Sequence, residues 1–283
     1  MNDVATQAYE AWESEDWLVA GRLLEQAVAQ ERDPQQIAIL WFDAALAYKF
    51  ARDWPKAYQL GKTAASLVTR GQQEPAFWNL GIAATVLRDW ATARDAWTGY
   101  GLTLPDGEGE ISGRFGMTCV RIQTAEGQEV VWAQRLCPTR ARITNVPFHP
   151  SRRYGEIVLH DGAPNGERVF DGHAYPVFDE IMLFEPSPTP TLSVMITSAD
   201  MADTVALADL FAEHDFGGEV MSSRVVMCKC CSEGSVTQER TFEAGRQQML
   251  LGAPEDAARR LLDQWKGAEQ GRAWSDLHVL EAA

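Results

Sequence analysis

Three cysteines stand close together in the second half of the chain: Cys228, Cys230 and Cys231. The outer two form a Cys-x-x-Cys pair, a spacing at which two thiolates can ligate zinc. A structural zinc site needs four ligands, and the sequence contains no second pair of this kind. Zinc binding, a redox role and plain free thiols are therefore three open interpretations. We adopt free thiols and expect no cofactor.

Histidines and acids suggest a second kind of chemistry. His160 precedes Asp161, and His173 follows an Asp-Gly pair, so two hairpin ends could offer imidazoles and carboxylates for a hydrolytic metal site. Alternatively, both Asp-Gly pairs are simply turn residues. Asp179 and Glu180 could work as paired acid–base carboxylates. No activated nucleophile lies nearby, so we interpret them as solvated acids.

Motifs of common catalytic sites are missing from the sequence. It contains no GxxxxGK[ST] or GxGxxG loop, no GxSxG elbow and no HExxH pair. Four arginines could form a small basic patch that binds an anion or makes surface ion pairs: Arg140, Arg142, Arg152 and Arg153. The sequence therefore predicts a protein without catalytic activity.

A repeated dipeptide organises the first third of the chain. Asp-Trp occurs at residues 16–17, 53–54 and 89–90, spaced by 37 and 36 residues. Each tryptophan is followed three residues later by an alanine: Ala20, Ala57 and Ala93. Small residues also recur upstream, where two helices would cross closely: Ala8, Ala45 and Gly81. The pattern predicts helix pairs from about residue 5 to residue 101.

Residues 3–105 resemble the tetratricopeptide repeat (TPR), a helix–turn–helix unit of about 34 residues. The second unit matches best, through Trp41, Ala44, Ala45, Tyr48, Ala57 and Ala64. The third matches at Gly81, Ala93 and Pro105, whereas the first lacks the large residue near its start. The resemblance implies that neighbouring pairs stack, because one pair is too small to bury its own apolar face.

The resemblance also implies a binding groove lined by the first helix of each pair. Carried over, this face contains Tyr9, Trp12, Phe42, Leu46, Lys49, Phe50, Trp78 and Ile82. Residues 39–50 are apolar almost all the way round, as in helices that are buried on both faces. Two interpretations follow. Either the C-terminal part of the chain fills the groove, or a segment of another protein does.

The pattern changes after residue 105. Residues 106–116 are rich in Gly, Asp and Glu and predict a linker. Residues 117–236 predict a mostly antiparallel α+β domain with one helix at 200–214, and turns at Asp161-Gly162, Asn165-Gly166 and Asp171-Gly172. Residues 237–283 predict helices, one after Pro254 and one at 274–280, that could pack back on the repeats.

Short stretches of the second domain are similar to an uncharacterised bacterial family with TPR units at its N-terminus. They lie at residues 136–143, 158–166 and 178–181. This similarity implies no activity and supplies no catalytic residues.

Charge narrows the functional classes. Acidic residues outnumber basic ones by 40 to 25, for a net charge of −15. Such a chain is repelled by nucleic acids and by anionic membranes. The sequence also contains no membrane-spanning apolar run and no secretory signal, and its five cysteines suit a reducing compartment, so we expect a cytoplasmic protein.

The function that we predict is binding of another protein, and we expect that partner to be basic. The specific hypothesis is an immunity protein that neutralises a cognate bacterial toxin, because an acidic inhibitor meets a basic toxin quickly. The alternatives are a general TPR adaptor or chaperone, and a metal-dependent enzyme with its site in the second domain.

Overall fold

The structure is a computed structural model that describes residues 3–221, 235–237 and 245–281. The chain divides into two compact units, Met1–Gly113 and Arg114–Ala283. The first unit is helical, and the second combines two mostly antiparallel sheets with helices. The α+β class predicted from the sequence is therefore confirmed. Within the described part of the chain, the helices are too short or too polar to cross a bilayer.

Six helices in three consecutive pairs build the first unit, of which residues 3–113 are described. Each helix packs against the next one along the chain. Their bounds are α1 Asp3–Glu13, α2 Trp17–Val28, α3 Pro34–Phe50, α4 Trp54–Ser66, α5 Pro75–Val86 and α6 Trp90–Tyr100. The helices predicted between residues 5 and 101 are thus confirmed.

The same turn joins the two helices of every pair, and it explains the repeated Asp-Trp. The residue before each aspartate is left-handed, with φ of 58°, 58° and 56° at Glu15, Arg52 and Arg88. Each aspartate N–H donates to the carbonyl five residues back, at 2.9 Å, which closes the first helix. Each aspartate side chain then caps the second helix by accepting a backbone N–H, from Val19, Lys56 and Thr92 respectively.

Small residues let the helices approach closely. The alanines predicted at crossings are all buried, at 4% exposure or less: Ala8, Ala20, Ala45, Ala57 and Ala93. Two glycines leave room for rings. A Cβ on Gly81 would lie 2.6 Å from carbons of the Trp97 ring, and one on Gly99 would lie 2.5 Å from the Phe77 ring. The core of the array is therefore shaped by aromatic rings that pack on bare backbone.

The predicted linker is held against the last helix of the array. The Arg94 guanidinium donates to the carbonyl oxygens of Pro105 and Gly109, both at 2.8 Å, and to that of Glu110 at 3.4 Å. Ile111, in the middle of this segment, is fully buried. The Gly- and Glu-rich segment thus marks the boundary between the units, and it is nevertheless hydrogen-bonded to α6.

The second unit begins with a five-stranded closed barrel. Its strands are β1 Met117–Thr124, β2 Gly127–Arg135, β3 Arg140–Ile143, β4 Ile157–Phe170 and β5 His173–Glu185. Consecutive strands pair antiparallel, and β1 pairs with β5 in parallel. An up-and-down barrel with an odd strand number must contain one such parallel seam. Seven buried side chains fill one cluster of its core: Val120, Ile122, Val131, Ala133, Ala141, Ile143 and Val158.

A four-stranded antiparallel sheet covered by two helices completes the unit. In chain order its elements are β6 Thr191–Ser198, α7 Met201–Ala212, β7 Gly217–Val220, β9 Gly245–Gly252, α8 Glu255–Ala268 and β10 Ala273–Val279, while β8 Ser235–Thr237 pairs with β4 of the barrel. The strand order is β10-β6-β9-β7. Leu207 and Phe211 of α7 and Leu262 and Trp265 of α8 share one core with β6 and β9.

The helix predicted at residues 274–280 is wrong: this segment is strand β10. Trp274 and Leu277 both pack against the sheet core although they are three residues apart. A β-bulge between Ser275 and His278, with Asp276 left-handed at φ 57°, brings them to the same face. Two apolar residues three positions apart also fit one face of a helix, so the sequence pattern could not distinguish a helix from a bulged strand here. Residues 245–252, also predicted within a helical region, form β9.

Two of the three predicted turns are also wrong. Asp161-Gly162 and Asn165-Gly166 lie inside the long strand β4, where the pairing with β5 shifts register repeatedly. Turn-forming residues here produce bulges in a continuous strand. Asp171-Gly172 does form the β4–β5 hairpin turn, with φ of 49° and 72°, as a two-residue turn with positive φ requires.

Replacing Gly81 with alanine tests the close packing of the array. Gly81→Ala should lower the thermal midpoint, because the new Cβ would lie 2.6 Å from the buried Trp97 ring. Overpacking costs about 1–3 kcal/mol, more than the roughly 1 kcal/mol that alanine gains over glycine in a helix. Gly61→Ala in α4 is the matched control, because its Cβ would meet Leu80 at an ordinary 3.5 Å. Equal stabilisation of both variants would contradict the packing described.

Candidate functional site

The first helices of the three pairs are joined by polar bridges across the predicted groove face. The Tyr9 hydroxyl donates to Asp43 Oδ2 at 2.6 Å, which links α1 to α3. The Lys49 ammonium donates to Asn79 Oδ1 at 3.0 Å, which links α3 to α5. Burial raises the pKa of Asp43, while the Tyr9 hydroxyl opposes that shift. These bridges hold the three helices in a row, so the face they present is preorganised.

Aromatic side chains are accessible at the first-repeat end of this face. Trp12 and Trp17 meet edge to face with ring centroids 5.2 Å apart, and Phe50 lies 5.8 Å from Trp12 and 4.9 Å from Trp17. Phe50 is 42% exposed, and both tryptophans are half-buried. We call Trp12, Trp17 and Phe50 the aromatic cluster. It presents several apolar rings to solvent at one place.

Trp17 is the member of the aromatic cluster that the sequence prediction missed. It begins α2, a second helix, whereas the predicted groove was drawn only from first helices. The turn at Glu15 and Asp16 reverses the chain and brings Trp17 against Trp12. The signal was present in the sequence, because the Asp-Trp dipeptide places a tryptophan directly after every such turn.

Acidic side chains surround the aromatic cluster in the sequence. Residues 1–40 contain eight acidic and two basic side chains. Four of these acids are exposed near the turn between α1 and α2: Glu10, Glu13, Glu15 and Asp16. A cation approaching this end of the array meets both aromatic faces and negative charge, two features that favour its binding.

The third-repeat end of the predicted face is partly covered within the first unit. Trp78 packs edge to face on Trp97 and Tyr100 of α6, with centroids 5.0 and 4.9 Å apart. Ile82 is fully buried and Lys49 is 8% exposed. Phe42 and Leu46 are half-buried in the middle of the face. Trp78 is half-buried like Trp12 and Trp17, so Phe50, which contacts those two tryptophans, is the ring of the predicted face that is more than one-third exposed.

Cys228, Cys230 and Cys231 lie outside the described residues. The two described cysteines, Cys119 and Cys137, are buried free thiols. Burial raises the pKa of Cys119 to about 11, so this thiol is not ionised near neutral pH. Among the described residues, no group of three metal-ligating side chains comes together.

The histidines proposed for a metal site are separated along one hairpin. His173 pairs with Phe170 at the turn, whereas His160 pairs with Glu180, seven residues further along β5, or roughly 23 Å at the rise of a strand. His160 is fully buried and stacks on Phe178 at 4.7 Å. Its Nδ1 lies 2.7 Å from the Asp161 carbonyl oxygen, to which it donates as Nδ1–H. Burial lowers the pKa of His160 to about 4, so the ring is neutral.

Both paired carboxylates are ion-pair partners, but only Glu180 is buried: the Asp179 side chain is 45% exposed, so the prediction of solvated acids is wrong for Glu180 alone. Asp179 pairs with Arg121, its register partner across the parallel β1–β5 seam. Glu180 accepts two hydrogen bonds from Arg152 at 2.8 Å and one from the Gln123 N–H at 2.7 Å. Arg152 is itself only 6% exposed, so the predicted surface patch is wrong for this arginine. These carboxylates close the barrel.

No protein-family model matches the chain, and no curated protein sequence matches it. The residues of the accessible aromatic cluster and the charge around them are therefore the basis on which a function can be proposed.

The structural role of Glu180 can be tested by neutralising it. Glu180→Gln should lower the free energy of unfolding by about 3–5 kcal/mol, because Arg152 would keep only Glu156 as a buried partner. Arg259→Gln removes one side of an exposed pair with Glu255 in α8 and should cost about 0.5 kcal/mol or less. Urea unfolding measures both. Equal small losses would mean that Glu180 is not a structural carboxylate.

His160 should make the chain less stable in acid. Its folded pKa is below that of an unfolded histidine, so the unfolded chain gains a proton first as the pH falls from about 6.5 towards 4. The contribution of neutral His160 to the free energy of unfolding is fully present above that window. It is lost within the window, by about 2 kcal/mol from pH 7 to pH 5. The loss measured by urea unfolding should be smaller by this amount in His160→Gln. Equal losses in both proteins would contradict a neutral, buried His160.

Proposed function

We propose that the chain is a non-catalytic protein-binding protein whose first unit is a TPR-type array. The observation that carries this proposal is the accessible aromatic cluster at the start of the array, set among exposed acids. Trp12, Trp17 and Phe50 contact one another, and Phe50 is 42% exposed. Clustered aromatic rings are typical energetic centres of protein interfaces.

The charge of the chain supports a basic partner. The net charge is −15, and the first 40 residues carry eight acidic against two basic side chains. Opposite charge steers association and selects among partners more than it adds affinity. In this proposal the aromatic cluster supplies the buried contact, and the acids around it guide a lysine- or arginine-rich surface to it. The on-rate should fall as salt rises, because exposed charges are screened beyond about 10 Å at 0.1 M salt.

The specific version of the proposal is an immunity protein that neutralises a cognate bacterial toxin in the cytoplasm. An acidic, rigid scaffold without catalytic motifs suits an inhibitor that must meet a basic toxin quickly. A general TPR adaptor or chaperone is the alternative, and it uses the same aromatic cluster. The two differ in their partner: a single toxin, or the exposed segments of several proteins.

Truncating Phe50 tests the binding surface. Phe50→Ala should weaken binding of the partner by about thirtyfold, as loss of an interface centre worth roughly 2 kcal/mol does. The fold should survive, because the ring is 42% exposed. Leu67→Ala is the matched control, since Leu67 is a similarly exposed apolar side chain, 47%, at the end of α4. The partner can be found by cross-linking from a photoreactive residue at position 13, beside the cluster.

Coexpression separates the specific version from the general one. Wild-type chain should restore growth to bacteria that produce the toxin encoded beside it, whereas Phe50→Ala should not and Leu67→Ala should. Rescue that persists in Phe50→Ala would place the inhibitory surface elsewhere. Cross-linking to many unrelated proteins, all dependent on Phe50, would support an adaptor and refute the immunity role.

A further inference from the structure

A cleft of about 570 Å³ opens between α4 and α6, on the side of the array formed by the second helices. Its floor is apolar and consists of Ala65 of α4 and Phe77 and Leu80 of α5, each 6% exposed or less. Polar side chains, among them Lys62 and Thr92, stand around it. This volume is typical of sites for small molecules. None of the residues named here belongs to the aromatic cluster.

Polar bridges join the two walls of the cleft at both ends. At one end the Tyr58 hydroxyl of α4 donates to Asp89 Oδ2, the N-cap of α6, at 2.6 Å. At the other end Arg70 makes a bidentate pair with Asp95 of α6, at 2.8 and 3.1 Å. The cleft is therefore preformed, so a ligand need not open it. We call this cleft the slot.

The preceding pair of second helices, α2 and α4, differs at the corresponding positions. Shifting by one repeat replaces Lys62 by Glu25 and Thr92 by Lys56, and these two form an ion pair at 2.7 Å between α2 and α4. The same shift replaces Ala65 by Val28 and Ala91 by Pro55, both larger. Leu80 is the exception, since Ala44 stands in its place. Between α4 and α6 no such ion pair crosses from position 62 to position 92, because Thr92 carries no charge.

Lys62 is the lining cation whose hydrogen-bonding capacity stays available. Arg70 is neutralised by Asp95. The Lys62 ammonium lies 5.5 Å from the centre of the Tyr58 ring, and within the described residues it makes no hydrogen bond or salt bridge. Its charge contributes to lowering the pKa of Asp89, although hydrogen bonds from Tyr58 and Thr92 contribute more. The Asp89 oxygens already accept those bonds, so the Lys62 donors remain open to a ligand.

We propose that this slot binds a small amphipathic carboxylate, an acid with an apolar chain of medium length. The chain would lie along Leu80 and Val68, beside the Arg70 guanidinium that stands 5.3 Å from the centre of the Phe77 ring, and the carboxylate would accept hydrogen bonds from the Lys62 ammonium. An apolar floor with one open cation at its edge matches this chemistry. The site is independent of the partner surface at Trp12, Trp17 and Phe50.

Titration of the full chain with octanoate tests the proposal. Binding followed by calorimetry and by amide NMR should be saturable, with a Kd on the order of 1 mM for a ligand of this size. Lys62→Gln should weaken it about fivefold, as loss of a solvent-exposed ion pair would. Octan-1-ol, which has no charge, should bind to the wild type as weakly as octanoate binds to Lys62→Gln. Lys266→Gln, on the exposed face of α8, is the control for charge alone and should leave binding unchanged.

Filling the slot provides a second, independent variant. Ala91→Leu adds bulk at an exposed position on the edge of the cleft, so the fold should persist while octanoate binding is lost. Phe50→Ala should bind octanoate like the wild type. Absence of saturable binding up to about 10 mM, or unchanged binding in Ala91→Leu, would overturn the proposal. So would binding of a peptide with a C-terminal leucine carboxylate but not of octanoate, which would make the slot a peptide site.

Discussion

Stacking of helix pairs that cannot bury their own apolar faces is the constraint on which the first unit depends. Each pair must meet the next at close range. The recurring turn fixes how the two helices within each pair meet, because a left-handed residue and an aspartate cap appear at the same place three times. Alanines and glycines at the crossings then permit close approach, down to rings packed on Gly81 and Gly99. The sequence features of residues 3–105 serve this one requirement.

In the second unit, the residues that could do chemistry are used to build the barrel. Its parallel seam joins β1 and β5 over three register pairs, a short contact for a closure. Arg121 and Asp179 form an ion pair across it, and Glu180 accepts the Gln123 N–H beside it. Buried charges of this kind persist only when they are paired and hydrogen-bonded. Carboxylates engaged in this way are poor general acids or bases, which leaves the surfaces as the more promising places for function.

Much of the fold could be predicted because its signals are local. Asp-Trp at constant spacing, the apolar faces of α7 and α8, and Asp171-Gly172 at the hairpin each specify structure within a few residues. The failures were non-local or ambiguous. Trp274 and Leu277 share a face only because a bulge intervenes, and Asp161-Gly162 bends a strand that continuing pairs with β5 hold extended. The burial of Arg152 depends on Glu180, 28 residues away, and no spacing along the chain could reveal it.

Trp17 recurs in every repeat as Trp54 and Trp90, whereas Phe50 of the aromatic cluster and Lys62 of the slot stand where the repeats differ from one another. Stacking positions stay small or apolar in every pair, because a change there disturbs two neighbours at once. Positions outside that requirement are free to vary: Phe50 of α3 corresponds to Glu13 of α1 and Val86 of α5, and Lys62 of α4 corresponds to Glu25 of α2. The repeats thus provide an internal comparison in which the shared fold is held constant. A ring that remains exposed beside acids, and a cation left without the ion pair that its counterpart makes, are departures that the fold itself does not require.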